Sequence, residues 1–223
     1  IMWNNINMKK LKLYSLAIFI IPLMILGNTL SYANNETPAN VILTAANSLF
    51  SDVKANKTLY EDDITSFYKR VDAVLGPIID FDILIKSIVG EKNYKQISDT
   101  QKDRFKLALK KQLIRIYAKT IVEYSSSKIT IISTSESKGF YIVKTELSIG
   151  QGKPAFQVIY VMKNSSDKWK IVEVVANGLR LVKSLRKSLL PEIKEKGIES
   201  VIRRLESESW QMEKLLITGG QSL

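Results

Sequence analysis

The fold is decided by residues 128–176, KITIISTSESKGFYIVKTELSIGQGKPAFQVIYVMKNSSDKWKIVEVVA. Four runs in this stretch, at 128–135, 139–149, 154–163 and 168–176, are rich in Ile, Val, Thr and aromatic residues. Gly, Ser, Asn and Asp, which are typical of tight turns, separate the runs. Because such short connections join antiparallel neighbours, the stretch predicts a four-stranded antiparallel sheet in which each strand pairs with the next.

Amphipathic helices are predicted on both sides of this sheet along the chain. The longest opens with the capping-box spacing of Ser98 and Gln101. After the sheet, the first of two helices is expected to end before Pro191, because proline removes a backbone donor. The predicted helical segments are 38–57, 60–75, 80–90, 98–124, 178–190 and 191–208. This order predicts an α+β fold, in which a curved four-stranded antiparallel sheet and amphipathic helices surround an apolar pocket.

The composition excludes several classes of function. The chain contains no cysteine and no histidine. It therefore has no disulfide, thiolate nucleophile, imidazole base or His-ligated zinc, and only carboxylate, lysine or tyrosine chemistry remains for an enzyme. The formal net charge of +11 favours anionic partners such as lipid headgroups, membrane surfaces or nucleic acid, and the charge alone does not choose among them.

Residues 1–33 have the layout of a signal peptide. Three lysines precede an apolar run from Leu16 to Leu26, and Ser31 and Ala33 provide the small residues of a cleavage site. The run is short for a membrane span of roughly 20 residues, although an uncleaved N-terminal anchor is the alternative. We therefore expect cleavage after Ala33, export to the periplasm, a single α+β domain over 34–208, and a flexible tail over 209–223.

Several short strings carry a resemblance to a known family. They are Ile79-Asp80-Phe81-Asp82, Gly90-Glu91 with Tyr94 and Lys95, Ser98 with Thr100-Gln101 and Phe105, Tyr117, Asp167 to Val174 with Asn177-Gly178, and Arg186 with Lys196-Gly197-Ile198 and Leu205. Together, in this order, they resemble the MlaC family of periplasmic phospholipid-binding proteins, also called the toluene-tolerance family. The resemblance covers roughly residues 36–207, and Glu173 stands where the family commonly has Asp. None of the strings is a catalytic signature.

The resemblance implies a carrier that is not an enzyme and needs no cofactor or metal. Such a carrier moves phospholipid between an outer-membrane lipoprotein–porin complex and an inner-membrane ABC transporter complex with its lipid-binding subunit, and so maintains outer-membrane lipid asymmetry. Family members keep the acyl chains in the interior and the headgroup outside. The expected architecture resembles the NTF2-like fold. We expect a monomer that contacts membrane surfaces transiently and does not bind nucleic acid.

The candidate lipid-binding residues are apolar residues of the predicted helices and strands. From the helices they are Phe81, Leu84, Ile88, Leu109, Leu113 and Tyr117, and from the strands they are Val143, Phe156, Val158, Tyr160, Val172 and Val174. Periodicity does not separate a pocket wall from plain core, because both give the same apolar stripe. Basic residues just beyond the last strand are candidates to face the headgroup or the membrane: Arg180, Lys183 and Arg186.

Three other functions are weighed against a phospholipid carrier. A lipid-modifying enzyme would use paired carboxylates such as Asp80 with Asp82 or Asp62 with Asp63, but acidic residues at helix starts are expected simply as caps. Nucleic-acid binding is suggested only by the charge, because the chain shows no basic-aromatic module of the kind that binds RNA. A carrier of another apolar lipid, such as a hopanoid or a quinone, stays open because apolar walls discriminate poorly among apolar ligands.

Overall fold

The sheet occupies the second half of the domain. The computed structural model describes residues 36–148 and 155–207; the predicted signal peptide (1–33) and tail (209–223) lie outside this range and stay predictions. The strands are β1 (Lys128–Ser137), β2 (Phe140–Ser148), β3 (Phe156–Ser165), β4 (Lys168–Ala176) and β5 (Leu179–Arg180). They are antiparallel and pair in the order β1-β2-β3-β4-β5. The antiparallel order is confirmed, whereas the strand number is corrected from four to five because the chain after β4 folds back for two residues.

The register of the strands gives the sheet two different faces. Val143 of β2 lies opposite Tyr160 of β3, which lies opposite Val174 of β4. We call the face that carries these three residues the inner face. Because side chains alternate along a strand, Val161 and its partner Glu173 lie on the outer face. Register shifts between Ile131 and Ser133 and between Val161 and Met162 mark bulges, which increase the twist and bend of a sheet.

Helices precede and follow the sheet. Before it are α1 (Pro38–Ala55), α2 (Lys57–Asp62), α3 (Ile64–Leu75), a 3₁₀ turn (Gly76–Ile78), α4 (Phe81–Val89), α5 (Glu91–Gln96) and α6 (Asp99–Glu123); after it are α7 (Leu181–Lys196) and α8 (Ile198–Glu206). Within residues 36–148 and 155–207, no helix is long and apolar enough to cross a membrane.

Polar side chains cap the N-termini of α3, α4 and α6. The capping box of α6 is formed: the Ser98 amide donates to the Gln101 side chain at 3.1 Å, and the Gln101 amide donates to Ser98 Oγ at 3.2 Å. Asp80 Oδ1 accepts from the Ile83 amide at 3.0 Å, and Asp63 Oδ1 accepts from the Thr65 amide at the same distance. One member of each carboxylate pair considered for an enzyme is therefore a helix cap.

The helix boundary predicted at Pro191 is wrong. Pro191 lies inside α7, and the helix ends at Gly197, where φ is 78°. The apolar residues Leu185, Leu189 and Ile193 are all buried on one side of α7. Their packing continues across the proline, and we infer that it compensates for the one backbone hydrogen bond that proline cannot make.

Strand β4 joins the helices to the sheet. The Asp80 amide donates to the carbonyl of Ile171 at 2.9 Å just before α4 begins. Two residues further along β4, the buried Glu173 carboxylate accepts from the amide of Val182 at 2.8 Å, in the first turn of α7. A carboxylate at this position satisfies an otherwise unpaired amide and interacts favourably with the helix dipole. The starts of α4 and α7 are thus both fixed to one strand.

Apolar side chains form three clusters. The helical cluster lies between α4, α6, α7 and α8. The sheet-side cluster lies between α1 and the inner face of the sheet. A third, smaller cluster joins α1, α2 and α3 around Phe67 and Val71.

Two glycines provide a test of the helix ends. Gly90 (φ 86°, ψ 151°) and Gly197 (φ 78°, ψ 166°) adopt a conformation that is essentially restricted to glycine. We expect Gly197→Ala to lower the free energy of unfolding by about 1–3 kcal/mol from backbone strain alone. Gly90→Ala should cost a similar amount, because its Cβ would lie 3.4 Å from Arg186 Nη1, an ordinary van der Waals contact, and nothing lies within 4 Å at Gly197. Urea unfolding of both variants measures this, and a variant as stable as the parent would contradict the positive φ at that glycine.

Candidate functional site

The sheet-side cluster has an incompletely covered apolar surface. Among the described residues, it contains eight buried apolar residues and thirteen that are only partly buried. The helical cluster has the opposite balance, with sixteen buried and five partly buried. Partly buried apolar area is the area that a ligand can still remove from water, whereas a filled core has none left to offer. The inner face of the sheet under α1 is therefore the candidate apolar site.

Five of the predicted lipid-binding residues lie in this cluster. Val143 and Val158 are buried at its centre. Phe156, Tyr160 and Val174 are partly buried and pack around them. The period-two pattern places these residues on one face, because every second side chain of a strand lies on the same side. Their role in lipid binding stays a prediction.

The predicted helical residues lie mostly elsewhere. Leu84, Ile88 and Leu109 are buried in the helical cluster, and Leu113 packs against that cluster. The structure thus does not bring them together with the strand residues. The reason is that an apolar helical stripe looks the same in sequence whether it faces a sheet or another helix.

Three predicted residues belong to neither group. Phe81 is buried, and its ring centroid lies 5.5 Å from the Lys110 ammonium, a cation–π distance. Val172 is buried at the bulge of β4, next to Glu173. Tyr117 is half-buried on α6, and burial raises the pKa of its phenol.

Helix α1 and Tyr124 also contribute to this site, although neither is among the predicted lipid-binding residues. Val41 and Ile42 of α1 are buried in the sheet-side cluster, and Phe50 packs against it. Tyr124, just beyond α6, lies against Phe156 with ring centroids 5.4 Å apart. The apolar spacing of α1 was visible in the sequence, but nothing in that spacing shows which layer the helix covers.

Two polar side chains inside the site, Thr145 and Tyr160, have hydrogen-bond partners. Thr145 is buried on the inner face, and its hydroxyl donates to the carbonyl of Val158 at 3.0 Å. Burial raises the pKa of Tyr160 to about 12, although a hydrogen bond with Thr145 lowers it in part. Such a phenol stays neutral at physiological pH. The site therefore offers a neutral, largely apolar surface.

The predicted headgroup residues are placed away from the inner face. Arg180 pairs with Val175 in the sheet register and contacts the outer-face Glu173, with Nε 3.4 Å from Oε2. Arg186 donates to the carbonyls of Ser87 and Ile88 at 2.6 and 3.4 Å, and so caps the end of α4. Lys183 is exposed on α7. Their role toward a headgroup stays a prediction.

The site holds no cluster of metal-binding groups in the described part of the chain. No group of three or more Asp or Glu residues is placed there so that it could hold a metal ion.

Comparison with known proteins identifies the family. The sequence pattern described as MlaC protein matches residues 43–207. The chain belongs to the MlaC family. This confirms the resemblance that the short strings indicated.

Two relatives and one solved structure show how far the likeness extends. The toluene tolerance protein ttg2D of Pseudomonas putida is 27% identical over 162 residues, which are 73% of this chain and 75% of that protein. The intermembrane phospholipid transport system binding protein MlaC of Haemophilus influenzae is 24% identical over 213 residues, 93% and 97% of the two chains. The phospholipid-binding protein of Ralstonia solanacearum, solved in complex with a phospholipid, has a TM-score of 0.68 at 16% identity and covers 82% of this chain and 99% of its own. The α+β fold is thereby confirmed.

In this MlaC-family chain, the phenol of the partly buried Tyr160 gives a prediction about pH. Its folded-state pKa of about 12 lies above the ordinary value of 10. The unfolded chain therefore loses the phenol proton at a lower pH than the folded chain does. The stabilisation that the neutral phenol contributes is complete below about pH 10 and is lost as the pH rises toward about 12. Urea unfolding across that window should show a stability loss that is smaller in Tyr160→Phe than in the parent. An identical pH dependence in both proteins would contradict the burial of this phenol.

Proposed function

We propose that this protein is a periplasmic carrier of phospholipid that holds acyl chains between α1 and the inner face of the sheet. The observation that carries the proposal is the sheet-side cluster, in which more apolar residues are partly buried than fully buried. Membership of the MlaC family supports this assignment. Further support comes from the relatives, one of which is named for phospholipid transport and another of which was solved with a phospholipid.

The physical requirement on such a carrier is apolar area rather than chemistry. Each methylene removed from water is worth about 0.8 kcal/mol, so two acyl chains need a surface that replaces most of their bilayer environment. The inner face offers aromatic and branched side chains from four strands and from α1. No catalytic group is needed for this task, and the proposal therefore assigns the protein no enzymatic step. Asp80, the strongest carboxylate candidate, serves as a helix cap.

The proposed cycle needs two membrane partners. The carrier exchanges phospholipid with an inner-membrane ABC transporter complex through its lipid-binding subunit, and with an outer-membrane lipoprotein–porin complex. Acting as an exported monomer with transient membrane contact, it maintains the lipid asymmetry of the outer membrane. Arg180, Lys183 and Arg186 are retained as candidates to face the headgroup. Of these, Lys183 is the cleanest to test, since the two arginines already stabilise the fold.

The first test identifies the cargo. We expect the full chain, purified after export in a bacterial host, to yield close to stoichiometric phospholipid when organic extracts are analysed by mass spectrometry. Native mass spectrometry of the same sample counts the bound molecules. A hopanoid or quinone in the extract would instead assign another apolar cargo to the same site. If no lipid co-purifies and lipid vesicles cannot load the protein, the carrier proposal fails.

The second test asks which face of the sheet binds the cargo. Val174 and Val175 are adjacent on β4 and both partly buried, but only Val174 lies on the inner face. We expect Val174→Trp to reduce the lipid bound per protein by more than half, because the added indole occupies the site. Val175→Trp adds the same bulk on the outer face and should leave the bound lipid unchanged. Circular dichroism controls for folding. Loss of lipid in Val175→Trp but not in Val174→Trp would contradict the assignment of the cargo to the inner face.

A further inference from the structure

Two clefts meet at Arg186 on the side of the protein formed by α4 and α7. The first has a volume of about 360 Å³ and runs along α7 between Lys183 and Lys194. The second, of about 410 Å³, lies between the end of α4, the start of β2 and the end of β3. Arg186 lines both clefts. We call them together the paired-cleft surface.

The charge of this surface is strongly positive. Six of its thirteen lining residues are Lys or Arg, and one is acidic. That acid, Glu91, lies 2.7 Å from the Lys86 ammonium and 3.4 Å from that of Lys95, so its charge is already compensated within the protein. A concave surface with this balance attracts carboxylates or phosphates and repels cations.

Apolar residues form part of both clefts. Leu190 and Pro191 lie in the first cleft, and Ile83 and Phe140 in the second. Phe140 is 36% exposed, so part of its ring is available for contact. Apolar surface flanked by cations suits a protein segment that has an apolar side chain among carboxylates. A flat layer of lipid headgroups would meet the lysines without filling the recesses between them.

The centre of the surface is held rigidly. Arg186 is fixed by the carbonyls of Ser87 and Ile88, and its guanidinium lies directly over Gly90. A group that is already fixed loses little conformational entropy when a partner arrives. The position of this arginine therefore shapes both clefts before any partner binds.

We propose that the paired-cleft surface docks an acidic segment of a protein partner, with an apolar side chain of that segment seated between the lysines. Phe140 and Lys163 alternate with the inner-face residues Tyr141 and Met162, so they project from the outer face of the sheet. None of the twelve predicted lipid-binding residues lines either cleft, whereas two of the three headgroup candidates, Lys183 and Arg186, do. The docking proposal assigns these two residues to the protein partner instead of the headgroup. Docking and cargo thus use opposite faces, and the loaded carrier keeps its docking surface accessible. The biological meaning of this surface rests on the proposed carrier function.

The experiment uses a synthetic peptide with a central Leu-Phe pair flanked on each side by three Asp or Glu residues, labelled with a fluorophore. Fluorescence anisotropy measures its binding to the full chain, and NMR amide shifts locate the contact. We expect shifts confined to the two clefts and an affinity that falls with salt. A peptide with Asn and Gln in place of the acids should bind much more weakly.

Charge reversal in the clefts provides the decisive comparison. Lys163→Glu with Lys194→Glu, one residue in each cleft, should weaken peptide binding by about tenfold or more. The control, Lys54→Glu with Lys128→Glu, makes the same charge change at exposed lysines outside the clefts and should alter binding much less. Equal effects of the two pairs, or amide shifts elsewhere, would overturn the proposal. So would absence of peptide binding together with cleft-dependent binding to phosphatidylglycerol vesicles, which would assign the surface to membranes.

Measuring the co-purified lipid distinguishes a failure of the docking proposal from a failure of the carrier proposal. The cleft variant should retain as much co-purified lipid as the parent while it loses peptide binding. A cleft variant that loses its lipid would assign the clefts to the cargo and overturn a docking role. If the parent itself carries no lipid, the carrier function fails, whereas the peptide comparison still decides whether the clefts bind an acidic segment.

Discussion

The rest of the structure depends on the attachment of two helices to strand β4. The carbonyl of Ile171 accepts from the Asp80 amide where α4 begins, and Glu173 binds the first turn of α7. Buried carboxylates are costly unless hydrogen-bonded, and Glu173 is satisfied by two amides and by Arg180. These bonds position the helices that form the helical cluster. They therefore link a self-contained helical core to a sheet whose inner face remains partly open.

This arrangement separates the filled helical core from the proposed cargo site. The helical cluster is well filled, and α8 is held to α6 by Arg104, which contacts both Glu199 and Glu206. The buried Gln112 adds a hydrogen bond to the carbonyl of Leu205. Packing of this kind leaves little adjustable space. The sheet-side cluster is less complete, so a ligand that fills it gains apolar contact without disturbing the helical core. Around Arg186, six of the thirteen residues that line the paired-cleft surface are Lys or Arg.

Sequence patterns predicted the elements better than their ends. The alternation in residues 128–176 and the capping box at Ser98 were sufficient for the sheet and the longest helix. Pro191 was misplaced because the packing of Leu189 and Ile193 outweighs the local preference of proline. The short strand β5 was missed because two residues carry no periodic signal. Among the residues of the candidate site, strand residues such as Val158 and Tyr160 were predicted from the sequence, whereas those of α1 were not.

What the sequence by itself determined is the class of fold, the family resemblance and the absence of thiol and imidazole chemistry. These follow from periodicity, short strings and composition, which are local properties of the chain. Only the tertiary structure decided that Leu84 and Leu109 belong to a filled core while Phe156 and Val174 border a partly open one. It also decided that Arg180 and Arg186 already have partners within the protein. The physical reason is that the burial of a side chain and its hydrogen-bond or ion-pair partners depend on which distant segments meet. An apolar stripe looks the same in the sequence whichever element it packs against.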